Sequence, residues 1–101
     1  MIRVEEICEF IDWHKKPMVG AREINDSGYL QKIGSVKESE EDIEIRGLCI
    51  QVSHPGKPPF QPSASISKPF PGSVLRAHCN CDSGSLGKCK HVVAMLRCVE
   101  K

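Results

Sequence analysis

Apolar residues recur through the first sixteen positions at three- and four-residue spacing. Val4, Ile7, Cys8 and Ile11, with Phe10 beside them, fall on one side of a helix, while Glu5, Glu6, Glu9 and Asp12 fill the other. Acidic residues crowd the first turns and His14, Lys15 and Lys16 the last, as the helix dipole favours. The pattern predicts one amphipathic helix over residues 2–16, stopped by Pro17. Its apolar stripe packs on the domain or, alternatively, docks on a partner. Residues 19–26 carry no decided pattern beyond a short helical turn, and Ser27-Gly28 marks a break.

The period then changes to two. Tyr29, Ile33 and Val36 suit a strand interrupted by Gly34, and residues 38–42 form a polar, acidic turn. Residues 43–52 are the clearest strand, alternating at Ile43 and Ile45 and again at Leu48, Ile50 and Val52 beyond Gly47. Such a phase change at a glycine predicts a β-bulge there. The two runs predict an antiparallel hairpin. Six of the seven prolines lie in residues 53–72, so His54-Pro55-Gly56-Lys57-Pro58-Pro59 reads as loop. Pro55-x-x-Pro58 and Pro59-x-x-Pro62 match a polyproline ligand pattern, which a plain surface loop also satisfies. Within this region Ser63-Ala64-Ser65-Ile66-Ser67 suits a short edge strand, and Pro69-Phe70-Pro71-Gly72 a turn into residues 73–79.

Helical spacing returns at the end, in Val92, Met95, Leu96 and Val99, with Ala94 and Cys98. The expected fold is α+β: an N-terminal helix, a small antiparallel β-sheet, and a C-terminal β-hairpin plus helix. Three segments follow from it, residues 1–26 helical, 27–72 β with the proline loop, and 73–101 the last unit. At 101 residues the chain is one domain by length, with a thin core that a cross-link would support.

Charge divides the chain. Residues 1–47 hold seven Lys/Arg and eleven Asp/Glu, and residues 48–101 hold seven and two, so net −4 precedes net +5. A basic C-terminal half permits nucleic-acid contact without demanding it. Six cysteines in a short chain also permit a disulfide framework. Against it, Arg3, Glu5, Glu6, Glu9 and Asp12 interrupt any secretory apolar core near the start. Cys8, Cys49 and Cys98 sit in apolar patterns, as buried free cysteines do. The expectation is a reduced, intracellular protein with no membrane span.

The chemistry lies in Cys79-Asn80-Cys81, then seven residues, then Cys89-Lys90-His91. Zinc takes four nitrogen or sulfur donors tetrahedrally, and Cys79, Cys81, Cys89 and His91 supply a closed set. Residues two apart in a strand share a face, so one strand end can aim Cys79 and Cys81 at one ion. Residues 82–88 carry turn chemistry, and Cys89 at a helix start has its thiolate favoured by the dipole. His78 adjoins the set but points to the other face. A nucleophile–base pair of Cys89 and His91 is disfavoured by its geometry, and a deaminase would need a Glu two after the His and a Cys-x-x-Cys. The chain is expected not to be an enzyme.

The string Ala77-His78-Cys79-Asn80-Cys81, a Ser/Gly-rich spacer, then Gly87-Lys88-Cys89-Lys90-His91-Val92-Val93-Ala94-Met95-Leu96 resembles the SWIM-type zinc finger. The strong match spans about 25 residues and looks most like the SWIM modules preceding viral-recombinase-type exonuclease domains in animal proteins. The resemblance implies Zn2+ on Cys79, Cys81, Cys89 and His91, with DNA or a protein as partner. No nuclease follows the motif, so no activity is implied. Arg76, Lys88, Lys90, Arg97 and Lys101 are the candidate DNA contacts, on or near the finger. A DNA-binding role places the protein in the nucleus. The alternative is a protein-interaction adaptor using the acidic helix or the proline loop.

Overall fold

The computed structural model describes residues 2–13, 15–51, 56–69, 72–81 and 89–99. Among these residues three helices and a four-stranded antiparallel sheet make an α+β fold, in the order α1 (Val4–Phe10), α2 (Lys15–Asp26), β1 (Leu30–Glu38), β2 (Asp42–Cys49), β3 (Ser63–Ser67), β4 (Val74–His78) and α3 (Lys90–Cys98). Among the described residues no helix is long and apolar enough to cross a membrane.

The N-terminal region holds two helices, not the single helix expected over residues 2–16. α1 ends at Phe10 because the chain turns left-handed at Asp12 (φ 56°) and Trp13 (φ 59°). The Trp13 N–H reaches back to the Cys8 carbonyl at 2.8 Å and the Asp12 N–H to Glu9 at 3.1 Å. These are the two bonds of a Schellman cap, with Asp in the place usually taken by Gly. Asp tolerates that conformation better than most side chains. Pro17 does not stop a helix; it sits in the first turn of α2. There its missing N–H has no intrahelical acceptor to lose. α2 then runs to Asp26 and closes with a second Schellman cap, Tyr29 N–H to Ile24 and Gly28 N–H to Asn25, with Gly28 at φ 73°.

The sheet is a simple meander, β1-β2-β3-β4. The expected β1–β2 hairpin forms, and Ser39 Oγ accepts the Glu41 and Asp42 N–H groups at its turn. β2 keeps one phase throughout, burying Ile43, Ile45, Gly47 and Cys49, so the bulge expected at Gly47 is absent. A Cβ at Gly47 would lie 3.2 Å from the Lys32 carbonyl and 3.5 Å from Met95 Sδ. Gly47 is therefore an inward position left small for α3 and β1. The register shifts fall on the outer strands, at Gln31 and Val36 in β1 and at Leu75 in β4. Bulges on both edge strands twist them away from further pairing.

β3 is central, not the edge strand expected. It pairs β2 on one side and β4 on the other, and Ala64, Ser65 and Ile66 are buried. The chain start joins the far side of the sheet, where Ile2 bridges Gly72 in parallel. A side chain at Gly72 would overlap the Ser67 carbonyl, so only glycine fits that crossing.

α3 lies against the inner sheet face and under α1 and α2. It is buried from His91 through Leu96, with no exposed stripe between. That is the burial of a helix covered on several sides. Ile2, Ile7, Ile11, Ile43, Ile45 and Ile66 complete the core around it. α2 is held to α3 by Asn25, whose Nδ2 donates to the Ala94 carbonyl at 3.2 Å and whose Oδ1 accepts the Cys98 thiol. Cys98 itself is exposed, contrary to its apolar sequence setting.

Candidate metal centre

β4 ends at His78, and Cys79 and Cys81 follow immediately as the chain leaves the sheet. The reversal expected over residues 82–88 lies outside the described residues. The chain returns at Cys89, which is the N-cap of α3 in extended conformation, and His91 occupies the first turn. Sheet and helix thus deliver two residues each to one point. The donor atoms of Cys79, Cys81, Cys89 and His91 all lie within 4.8 Å of one another. Sulfurs held at about 2.3 Å around a tetrahedral zinc are about 3.7 Å apart, so small side-chain movements close the set on one ion.

Three of the four are buried, with Cys79, Cys89 and His91 at 2, 6 and 8 % exposure, and Cys81 is half-buried. His91 Nδ1 is buried and has no hydrogen-bond partner. Such an orphan costs about 1–3 kcal/mol, which a nitrogen–metal bond would offset. Charge points the same way. The Cys89 thiol is pushed down to about 4, by the Cys79 thiol donating to it, by His91 and by the Val92 N–H at the helix start, against the opposing effect of burial. Cys79 moves up, since it carries the shared proton, is buried and faces two other sulfurs. Without a cation the cluster stabilises one thiolate and resists the next. A dication reverses that balance. The residues present fit a metal.

Two features beside the site were not visible in the motif. Phe60, before β3, tilts its ring at 48° over the His91 imidazole with centroids 4.7 Å apart. Phe60 also bridges Cys49 through both backbone bonds, 2.8 and 2.9 Å. Next to it the Gln61 N–H donates to Asn80 Oδ1 at 2.7 Å, fastening the loop to the residue between the two cysteines. The hydrophobic position of Phe60 in a proline-rich stretch was the only available signal. Cys49 is fully buried nearby and its thiol is pushed up to about 11, by burial first and then by the Cys89 charge. It stays protonated, and it is not in the four-residue cluster.

The candidate DNA contacts do not form one patch among the described residues. Lys90 opens α3, with its Cβ and Cδ where a Cβ on Gly20 of α2 would come within 2.9 Å. Arg97 lies two turns on, beside Met18, Val19, Arg22, Asn25 and Asp26. Arg76 is on the other side of the sheet from α3, paired with Ser65. Lys88 and Lys101 lie outside the described residues, as do His14 and His54. His78 is exposed and stands apart from the cluster, as its strand position predicts. Compared with known protein families, characterised proteins and solved structures, the chain matches none.

Proposed function

We propose that the chain is a SWIM-type zinc module that holds one Zn2+ as a structural ion and binds DNA. The observation that carries the zinc assignment is the buried Cys79, Cys81, Cys89 and His91 cluster with its unpartnered imidazole nitrogen. All four donors are nitrogen or sulfur, the set zinc prefers in closed structural sites. The bound ion would supply a cross-link between the end of β4 and the start of α3. Cys79 and Cys81 would anchor the strand end, Cys89 the helix cap, and His91 the first turn. Phe60 and Asn80 then hold the neighbouring loop to that cross-link. No catalytic step is assigned to it.

DNA binding is supported by the +5 balance of residues 48–101 and by the exposure of Arg76. The test is titration of a labelled duplex with the zinc-loaded chain at 50 and 200 mM salt. Binding that weakens roughly hundredfold between the two, as four neutralised phosphates require, supports the role. Absence of binding at the lower salt removes it. A protein-interaction role is the second reading, favoured by Trp13 and Val19, which are 64 % and 57 % exposed on the helical side. For the metal, native mass spectrometry is expected to give one zinc per chain, lost on chelation.

A further inference from the structure

The alternation of the sheet puts a polar trough on the face opposite α3. Ile45 pairs with Ala64 and Ile43 with Ile66 on the core side, so the residues between them face out. One outward rung runs Glu44, Ser65, Arg76, and the next runs Arg46, Ser63, His78. The central strand supplies only serines, while the strands on either side supply long side chains. The result is a groove of about 560 Å³ with Ser63 and Ser65 on its floor, and Ser65 is only 4 % exposed. Two strand spacings make it about 10 Å across.

The register adds two cations to the same face. Lys37 pairs with Glu44, and Lys32 with Leu48, both outward positions of β2. Lys32, Lys37, Arg46 and Arg76 therefore stand against Asp42 and Glu44, and Glu44 already pairs Arg46 at 3.3 Å. Guanidinium groups on both walls of a trough with a low serine floor match the groups that hold phosphate oxygens. By contrast, Lys90 and Arg97 lie along α3 beside α2, where Asp26 shares the groove with Arg97.

We propose that the outer face of the sheet, centred on the trough between Arg46 and Arg76, receives the phosphodiester backbone of DNA. This rests on the DNA-binding role above and moves its surface away from the finger helix. Arg46 and Arg76 contact phosphates across a floor kept low by the small serines, with Ser63 Oγ donating to the His78 carbonyl at 3.4 Å, and Glu44 restrains affinity by holding Arg46.

The experiment is fluorescence anisotropy of a labelled 20-base-pair duplex with the full zinc-loaded chain at several salt concentrations. The Arg46→Gln, Arg76→Gln double variant is expected to bind at least tenfold more weakly, with the slope of log K against log salt reduced by about 2. Glu44→Gln is expected to bind several-fold more tightly, and Lys90→Gln to change little. Zinc content and circular dichroism equal to the parent's establish that each variant is folded, and Arg76→Gln alone provides a milder version with a slope change of about 1. Loss of binding on Lys90→Gln with none on the Arg46, Arg76 variant overturns this surface while leaving DNA binding intact. A parent chain that binds no duplex at 50 mM salt overturns both.

Discussion

The Phe60 ring lies 4.7 Å from the His91 imidazole, so a loop residue thirty-one positions away packs directly on a metal-ligand candidate. Its backbone bonds to Cys49 fix that ring against β2. Phe60→Ala is therefore expected to weaken the metal site as well as the core. Stability should fall by about 2 kcal/mol, less than for a fully buried phenylalanine because Phe60 is half-buried. Chelator competition should show weaker zinc binding, and Phe60→Leu should recover part of the melting temperature. Unchanged zinc affinity in Phe60→Ala would show that the ring contact has no bearing on the ligand.

Metal removal tests the cross-link itself. α3 carries Val92, Val93, Met95 and Leu96 into the core from a start that the cluster pins. Chelation should lower the melting temperature and speed amide exchange in α3 first. Cys89→Ser or His91→Ala should reproduce the loss without chelator. A metal-free chain with the parent's melting curve would sink the structural role.

Cys49 makes a pH prediction. Its folded value of about 11 stands above the ordinary thiol value of 9.0 because burial penalises the thiolate. A raised value means the folded state keeps the proton more firmly. The contribution is thus complete below pH 9 and disappears as pH rises toward 11. Two units correspond to about 3 kcal/mol. Urea unfolding of the parent against Cys49→Ala should show the variant losing less stability between pH 9 and 11. Parallel curves would mean that Cys49 ionises as freely in the folded chain as in the unfolded one.

Gly72 tests the chain start. Any Cβ there overlaps the Ser67 carbonyl, which is backbone in the central strand and cannot swing aside. Gly72→Ala should cost about 3 kcal/mol and release the Ile2 bridge. The denaturant midpoint measures the first effect and amide exchange near Ile2 the second. A midpoint equal to the parent's would refute the close approach.

The amino-acid sequence by itself determined the four candidate ligands, the β1–β2 hairpin and α3. Each depends on short-range rules: two-residue spacing at Cys79 and Cys81 and at Cys89 and His91, alternation in β2, and helical period after Cys89. The split between α1 and α2 was hidden because Ile11 keeps the apolar period while serving as the cap. Gly47 suggested a bulge because glycine has no side chain to reveal which face it occupies; Met95 and Lys32 decide that.

Tertiary structure alone decided the rest. Ser63–Ser67 is too polar to announce a central strand, yet pairing on both sides satisfies its backbone and buries Ile66. Arg76 and Lys90 are fourteen residues apart in a basic half-chain, and only the sheet between them separates their surfaces. Phe60 meets His91 because its paired backbone bonds to Cys49 at the end of β2 hold it beside the site. Local spacing determines which groups can share a face of one element. Which elements face one another depends on contacts between distant residues, and no local period records them.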